Sequence, residues 1–259
     1  MILKFQKYQG TGNDFIMLDA TEEKNLKFSK KLIQQLCDRR FGIGADGLIL
    51  IRKSDKTDFE MDYFNADGSQ SFCGNGARCA VRFAESLNLC GSETTFEAID
   101  GIHSAHIDGT TVALRMNDVE SFKQENSHYE IYTGSPHYIK FVANLAQENI
   151  VEFGRKIRYS QAYKKEGINV NLVQIADKQA LTMLTYERGV EDETYSCGTG
   201  ATAAALAYAL KGGLNGKFRI SIGVKGGQLV VSANRTKNTF REIYLSGPAE
   251  AVYHGEISV

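Results

Sequence analysis

Two cysteines in the sequence open the same short, glycine-rich motif, and that motif could support acid/base chemistry. Cys73 opens Cys-Gly-Asn-Gly and Cys197 opens Cys-Gly-Thr-Gly, each followed by a stretch of helix-forming residues. A thiol at a helix start meets unpaired backbone N–H groups and the positive end of the helix dipole, which lower a thiol pKa from about 8.5 toward neutrality. We therefore expect both cysteines to be available as thiolates.

The glycines of the two motifs predict a site for an anion. They are Gly74, Gly76, Gly198 and Gly200. Without side chains at these positions, a carboxylate can approach bare backbone amides at a helix start. A single copy of the motif could equally be a helix-start turn with a buried thiol, but two copies favour a functional site that holds one carboxylate.

The two motifs lie at equivalent points of an internal repeat. The cysteines are 124 residues apart, and the later hairpin glycines Gly101 and Gly227 are 126 residues apart. Upstream, GADGLILIR and GINVNLVQIA both pass from a glycine-containing turn into a β-rich run. We interpret the chain as two homologous halves of about 120 residues, each ordered strand, strand, helix, strands.

This repeat predicts an α/β (α+β) fold with two pseudo-symmetric lobes. The first covers residues 1–118 and carries Cys73, and the second covers 119–249 and carries Cys197. The strand at 250–259 could complete the first lobe, and the polar segment within 117–130 marks the boundary. Active sites commonly lie in the cleft between such lobes. Equivalent acid/base groups on opposite faces of one carbon would remove a proton from one face and return it to the other.

The helices predicted from the sequence differ in how much of their surface is apolar. FSKKLIQQLCDRR has Ser29 placed as an N-cap and should cover one side of a sheet. Its apolar face comprises Leu32, Ile33, Leu36 and Cys37. The helices that follow the two cysteines carry small or apolar residues on most sides, which predicts helices surrounded by strands.

Composition and charge exclude several other classes of protein. The chain has 259 residues, a formal charge of −1 and no long basic run, which argues against nucleic acid as a partner. Its polar start and the lack of about 18 consecutive apolar residues argue against a signal peptide or a membrane span, so a cytoplasmic location is expected. Five irregularly spaced cysteines without a C-x-x-C pair fit neither a disulfide framework nor a zinc site.

The sequence also indicates that no cofactor takes part. Gly42, Gly44 and Gly47 spell G-x-G-x-x-G, but a helix precedes them and a strand follows, the reverse of a dinucleotide site, so we interpret them as a helix-to-strand turn. A pyridoxal lysine motif is not evident either. Backbone amides and helix dipoles would then have to stabilise the charge that develops when an α-proton is removed.

Seven motifs in order carry a resemblance to a known family. They are GTGNDFIMLD, FGIGADGL, FNADGS followed by CGNGARC, GSPH, GINVN, YERG and SCGTGA. Together they resemble diaminopimelate epimerase. The resemblance implies conversion of LL- to meso-diaminopimelate without pyridoxal phosphate or metal, on the route to lysine and peptidoglycan. It also implies a homodimer of two-lobed chains, each lobe a strongly curved, mostly antiparallel sheet around a central helix.

The same resemblance assigns roles to individual residues. It makes Cys73 and Cys197 the acid/base pair, with Glu187 and His137 close to them and helping to set their protonation. The amides of Gly74, Asn75, Gly198 and Thr199 would hold the reacting carboxylate. The remaining polar groups of the substrate would be bound by Asn13, Asn65, Asn169, Glu187 and Arg188, the last being the natural bidentate partner of the distal carboxylate.

Two departures from the family pattern are present, and two alternative functions stay open. Ser135 stands where the family usually has asparagine, and the segment between Asn65 and Cys73 is one residue shorter than usual. A proline racemase or hydroxyproline epimerase shares the paired cysteines but typically has histidine in place of Asn75. Phenazine-type isomerases of this fold lack the cysteine pair. A non-catalytic redox or ligand-binding protein would use the cysteines as a reversible disulfide.

Overall fold

A computed structural model describes residues 2–23 and 26–259. The chain forms two compact units, one of Met1–Leu114 with Gly247–Val259 and the other of Arg115–Ser246. The division into lobes at 1–118 and 119–249 stays a prediction. In the described part of the chain, the helices are too short or too polar to cross a membrane.

Among its described residues, the first unit contains eight strands and two helices. Its strands are β1 (Ile2–Gly10), β2 (Asn13–Asp19), β3 (Gly47–Arg52), β4 (Phe59–Asn65), β5 (Glu93–Ala98), β6 (Gly101–Asp108), β7 (Thr111–Arg115) and β17 (Glu250–Ser258). Its helices are α1 (Lys30–Cys37) and α2 (Gly74–Ser86). The C-terminal strand β17 pairs antiparallel with β1, with Ile2 opposite Ser258.

The second unit repeats this order with small additions. Its strands are β8 (Phe122–Gln124), β9 (Tyr129–Tyr132), β10 (Pro136–Phe141), β11 (Asn169–Asp177), β12 (Ala180–Glu187), β13 (Asp192–Glu193), β14 (Gly216–Val224), β15 (Gly227–Thr236) and β16 (Thr239–Pro248). Its helices are α3 (Ile150–Arg158), α4 (Gly198–Lys211) and a 3-10 turn at Leu145–Gln147.

Strand pairing confirms the internal repeat in detail. The pairs β2/β3 and β4/β5 are parallel, as are β10/β11 and β12/β14, and the hairpins around them are antiparallel. Phe15 lies opposite Gly47, and Ile139 lies opposite Asn171, so the register itself repeats with the 124-residue offset of the cysteines. The predicted mixed, mostly antiparallel fold class is confirmed.

The helix after each cysteine forms the centre of its unit. In α2, ten of thirteen residues are buried, and in α4 ten of fourteen, so neither helix has a broad solvent face. Helix α2 contacts β1, β2, β3, β4 and β6, and α4 contacts β9, β10, β11, β12, β14 and β15. Alanines dominate α4, which lets strands approach it from several sides. The prediction of helices surrounded by strands is confirmed.

The other two helices cover sheet surfaces. Ser29 caps α1 as predicted, since its hydroxyl accepts a hydrogen bond from the Leu32 N–H at 3.2 Å. Helix α1 buries Ile33, Leu36 and Cys37 against residues of β1, β2 and β3. The sequence analysis did not identify α3, which occupies the equivalent place in the second unit and buries Ile150 against β10, β11 and β12.

The glycine-rich segment FGIGADG joins α1 to β3, as predicted. A Cβ added at Gly42 would lie 2.0 Å from the carbonyl oxygen of Gln35, so this residue packs directly on the end of the helix. Gly44 has a φ of +80°, a conformation that side chains disfavour. The glycines therefore serve a tight helix-to-strand turn.

Candidate active site

Cys73 lies at the N-terminus of α2, where three of the predicted site residues come together. It is the N-cap residue of the helix, with an extended backbone at φ −130°. Its sulfur lies 3.6 Å from Oδ1 of Asn13, which begins β2. Nδ2 of Asn75, in the first turn of α2, donates to the same oxygen at 3.3 Å. The structure thus brings Asn13, Cys73 and Asn75 together.

The orientation of the Asn13 amide follows from its other partner. Asn13 Nδ2 donates to Oδ2 of Asp46 at 2.5 Å, and a carboxylate oxygen can only accept. Oδ1 of Asn13 is therefore the atom that faces the sulfur, where it can accept the proton of a Cys73 thiol. This contact favours the protonated form of Cys73, in opposition to the helix start, which favours the thiolate.

A network of charged side chains, which the sequence analysis missed, holds the Asn13 amide in place. Arg39 bridges Asp46, at 2.8 Å, and Asp14, at 2.7 and 2.9 Å. Lys7 pairs with the same Asp14 carboxylate at 2.8 Å. Burial alone would raise the pKa of Asp14, but Arg39 and Lys7 outweigh it and lower the pKa well below its usual range. The network fixes the start of β2 and with it the Asn13 amide.

A buried cation lies on the same helix as Cys73. Arg78 is fully buried, and its Nη2 donates to the hydroxyl of Thr11 at 3.3 Å. Burial lowers the pKa of Arg78, while Cys79 and Cys73 act in the opposite direction. Thr11 has a φ of +51°, unusual for a β-branched residue, in the turn that leads to Asn13. Arg78 thus connects α2 to this turn and adds positive charge near Cys73.

Asn65 lies at the end of β4 and closes the loop that leads to Cys73. Its Nδ2 lies 3.0 and 3.1 Å from the hydroxyl oxygens of Ser69 and Ser71, and its Oδ1 accepts from the Tyr63 hydroxyl at 2.9 Å. These bonds hold the loop in place. The predicted contact of Asn65 with substrate stays a prediction.

Cys197 occupies the equivalent position in the second unit, with different neighbours. It is the N-cap residue of α4 and is buried, with an extended backbone at φ −127°. Its sulfur lies 3.4 Å from the hydroxyl oxygen of Thr199. That hydroxyl lies 2.9 Å from Nε2 of His137 on β10. Thr133 anchors this turn by donating to the Thr199 carbonyl at 2.8 Å.

His137 is therefore linked to Cys197 through the Thr199 hydroxyl. Its ring is completely buried. Burial, together with the positive charge of Arg188, lowers the pKa of His137 to about 3. The imidazole is consequently neutral at physiological pH and carries one proton on its two nitrogens.

The remaining predicted residues of this unit lie side by side, where β11 begins and β12 ends. Asn169 accepts the backbone N–H of Arg188 at 2.8 Å and donates to the hydroxyl of Ser135 at 2.9 Å, so the unusual serine has a defined partner. The Arg188 guanidinium donates to the Glu166 carbonyl at 2.8 Å and is exposed. Glu187 is half-buried at the end of β12, and its role stays a prediction.

The two cysteines thus have the same backbone surroundings in their two units but different side-chain partners. Asn13 and His137 are equivalent through the 124-residue offset, and so are Asn75 and Thr199. Amides surround Cys73, whereas a hydroxyl and a neutral imidazole lie beside Cys197. The two helix starts are alike, and the side chains beside the two sulfur atoms differ.

The other cysteines have properties that suit packing. Burial raises the pKa of Cys37 to about 11 and that of Cys79 to about 12, so both are protonated thiols at neutral pH. Burial also raises the pKa of Cys90. Within residues 2–23 and 26–259, the His, Cys, Asp and Glu side chains form no cluster suited to a metal ion.

Comparison with solved structures defines the fold class. The chain aligns over its full length with a phenazine biosynthesis protein of the PhzF family from Bacillus anthracis, with a TM-score of 0.76 and 14% identity, covering all of that chain. It aligns over 99% of its length with a hydroxyproline epimerase from Agrobacterium vitis, with a TM-score of 0.73 and 12% identity, covering 91% of that chain. At these identities the similarities show the fold alone.

Sequence comparison identifies the family within that fold. The diaminopimelate epimerase family model matches residues 5–120 and 129–252. The diaminopimelate epimerase of Flavobacterium psychrophilum is 49% identical over 257 residues, covering 98% of this chain and 100% of the relative. That of Chlorobaculum tepidum is 41% identical over 261 residues, covering 96% and 99%. The chain belongs to the diaminopimelate epimerase family.

Proposed function

We propose that this protein epimerises LL-2,6-diaminopimelate to meso-diaminopimelate by proton transfer at one α-carbon. Cys73 and Cys197 are the acid/base pair, one starting as a thiolate and the other as a thiol. The observation that carries the proposal is their placement as N-cap residues of two equivalent helices. Membership in the family supplies the substrate.

The helix starts address the main difficulty of the reaction, the weak acidity of an amino-acid α-proton. A positioned base contributes only about 10²- to 10⁴-fold to the rate. The backbone amides of Gly74, Asn75, Gly198 and Thr199 belong to first helical turns, where the positive end of the helix dipole favours negative charge. In the proposed mechanism they hold the reacting α-carboxylate and stabilise the charge that develops on it.

The remaining polar groups would recognise the rest of the substrate. Asn13 and Asn169 are held in fixed orientations by Asp46 and by the backbone of Arg188. The Arg188 guanidinium has further N–H donors beyond its bond to the Glu166 carbonyl, and these suit the distal carboxylate. Glu187 and Asn65 complete the proposed binding residues. No metal or organic cofactor is part of this mechanism.

A competing activity is the epimerisation of proline or hydroxyproline. Proteins with those activities have this fold, but at 12% and 13% identity the likeness is one of fold alone. Asn75 donates to Asn13 in the site, where such enzymes typically carry histidine. The family match and this residue favour diaminopimelate.

Chiral chromatography of the purified, reduced protein with LL-diaminopimelate tests the proposal. We expect the meso isomer to accumulate until the two isomers reach equilibrium. Incubations with L-proline and with trans-4-hydroxy-L-proline serve as controls and should give no epimer. Turnover of either control with LL-diaminopimelate unchanged would replace the proposal with the competing activity. A fully reduced protein inactive on all three would favour a redox or binding role.

We further propose that the protein is a cytoplasmic homodimer. All five cysteines are in the reduced form, which a reducing compartment preserves. Strand β17 pairs with β1, yet Glu250 to His254 are all exposed, including Val252 and Tyr253. An exposed strand with apolar side chains is a suitable surface for a second copy of the chain.

A further inference from the structure

We propose that Asn171 is a positioning residue that fixes His137 in one tautomer, so that the Thr199 hydroxyl donates toward the sulfur of Cys197. Asn171 is fully buried on β11 and belongs to none of the predicted site residues. The inference follows from the direction of each hydrogen bond in a chain of four side chains: Thr185, Asn171, His137 and Thr199.

The first step fixes the amide of Asn171. One of its terminal atoms lies 3.2 Å from the carbonyl oxygen of Tyr138. A carbonyl can only accept, so this atom is the nitrogen Nδ2. The other terminal atom, Oδ1, accepts from the hydroxyl of buried Thr185 at 3.0 Å. The Tyr138 carbonyl therefore fixes the orientation of the amide, and the Thr185 hydroxyl, which can donate or accept, is compatible with it.

The second step fixes the imidazole. Asn171 Nδ2 lies 3.1 Å from Nδ1 of His137 and can only donate, so Nδ1 accepts and carries no proton. Burial keeps the ring neutral, with a pKa lowered to about 3. Its single proton is then on Nε2, which donates to the Thr199 hydroxyl at 2.9 Å.

The third step reaches the sulfur. Because Thr199 accepts from His137, its own hydroxyl proton is available for Cys197, whose sulfur is 3.4 Å away. Each donor points toward the sulfur, and a donated hydrogen bond stabilises the thiolate over the thiol. At Cys73 the side chain that contacts the sulfur is instead Asn13, the equivalent of His137, and it presents an acceptor oxygen. The two thiols of the pair are thus biased in opposite directions.

Gly200 packs closely against this chain of hydrogen bonds, so a side chain at this position would collide with it. A Cβ added at Gly200 would lie 2.6 Å from Oδ1 of Asn171 and 3.4 Å from the Cys197 sulfur. At Gly76, the equivalent glycine of the first motif, an added Cβ would meet the ends of two apolar side chains, at 3.2 and 3.3 Å, and the Cβ of Cys73 at 3.5 Å. Gly200 is therefore needed for Asn171 as well as for access to the backbone amides.

The charged and titratable groups near Cys197 stay constant in the test. His137 on β10 is linked to Cys197 through Thr199, and Arg188 lies close enough to His137 to lower the pKa of its imidazole. The test changes Asn171 or Thr199 alone, so a change in Cys197 reactivity reports on the hydrogen-bond chain. The role of the chain in turnover rests on the proposed function, but neither measurement below requires substrate, so the two can fail separately.

The first measurement is the tautomer of His137, read from long-range proton–nitrogen NMR of protein with ¹⁵N-labelled histidine. The His137→Gln variant assigns the signal among the five histidines. We expect the Nε2–H tautomer in the wild type and a mixture of tautomers in Asn171→Leu, which removes the amide at nearly constant size. A wild-type Nδ1–H tautomer would overturn the proposal, even where the variant fails to fold.

The second measurement is the rate of alkylation of Cys197 by iodoacetamide from pH 5 to 10, followed by peptide mass spectrometry. We expect Asn171→Leu to slow alkylation at pH 7 about five-fold and to move its midpoint to higher pH. Thr199→Val should do the same, and Thr199→Ser should keep the wild-type rate. Alkylation of Cys73 in the same sample should not change, which controls for general unfolding. An Asn171→Leu variant with either the wild-type tautomer or the wild-type Cys197 rate contradicts the proposal.

Discussion

The two cysteines are distinguished from the other three by position and surroundings. Each is an N-cap residue with polar side chains beside its sulfur, whereas burial holds Cys37 and Cys79 as protonated thiols. The sequence was sufficient to select this pair, because the motif is short, local and duplicated. Local motifs are read directly from the chain.

Replacing either cysteine should abolish epimerisation. Cys73→Ala and Cys197→Ala each remove one of the two groups that must exchange a proton with the same carbon, so we expect kcat to fall by at least 10²- to 10⁴-fold. Cys90→Ala is a matched control and should keep at least half of the wild-type activity. Steady-state assays with LL-diaminopimelate measure the effect, and substantial turnover in either active-site variant would exclude the two-cysteine mechanism.

His137 should make the stability of the protein depend on pH. Its pKa is about 3 in the folded protein and about 6.5 when unfolded, so the unfolded chain binds a proton first as pH falls. The contribution to stability is complete above pH 6.5 and is lost between pH 6.5 and 3. In urea unfolding, the contribution of His137 should make the free energy of unfolding about 2 kcal/mol lower at pH 4.5 than at pH 7.

The control variants separate His137 from the other histidines. His137→Gln should lower stability at pH 7 and remove this part of the pH dependence, while His254→Gln, at an exposed position on β17, should leave it intact. If His137→Gln and the wild type lost the same stability between the two pH values, the buried neutral imidazole would be contradicted.

The hydrogen-bond partners of His137 could not be predicted from the sequence. Asn171 contacts it because β10 and β11 pair in parallel with His137 opposite Asn169, and strand register was not evident from the residues alone. The sequence likewise could not predict that Asp46 accepts a hydrogen bond from the Asn13 amide. The 124-residue offset was a usable signal, since it relates Asn13 to His137 and Asn75 to Thr199, but it could not show which side chains meet.

At the scale of elements, the repeat of helices and strands was largely predictable. Helix α1 carried a cap and an apolar face, and the helices after the cysteines followed from their motifs. Helix α3 was missed, although Ile150, Phe153 and Ile157 have helical spacing. Gly154 in its middle lowers helix propensity, and the structure uses this glycine because a Cβ there would lie 2.4 Å from Tyr186.

The equivalent glycines of α2 and α4 should respond differently to alanine. In Gly200→Ala the new methyl group meets Asn171 Oδ1 at 2.6 Å, and that atom is held by a hydrogen bond. We expect a loss of about 1 to 3 kcal/mol in the free energy of unfolding. In Gly76→Ala the contacts are apolar side-chain ends at 3.2 and 3.3 Å, which can yield, so the loss should be below about 1 kcal/mol. Equal losses in urea unfolding would contradict the packing described for α4.

At the scale of the whole molecule, length and repeat indicated two halves, and the contacts divide the chain into two compact units. The sequence analysis named the strand at 250–259 as a candidate to complete the first lobe, and β17 pairs with β1 over eight residue pairs. The detail that the sequence did not supply is the register of this pairing. Such a pairing joins residues more than 240 positions apart. Local patterns carry little information about partners at that distance.

The proposed homodimer can be tested on β17. We expect sedimentation analysis to give twice the chain mass of 28.7 kDa. Val252→Glu places a charge on an exposed apolar position and should shift the protein toward monomer at micromolar concentration. Glu256→Gln, on the same strand, is the control and should remain dimeric. A wild-type monomer, or a Val252→Glu dimer of unchanged stability, would place the interface elsewhere or remove it.

The central claim, two thiols acting on opposite faces of one carbon, is tested most directly by the initial fate of deuterium. In deuterated water, LL-diaminopimelate should give meso product that carries deuterium at the inverted carbon. The LL substrate recovered at low conversion should still carry hydrogen, because the thiol that took the proton returns the same one. Mass spectrometry of the separated isomers measures both. Equal deuterium in recovered substrate and product at early times would indicate a single base and contradict the account.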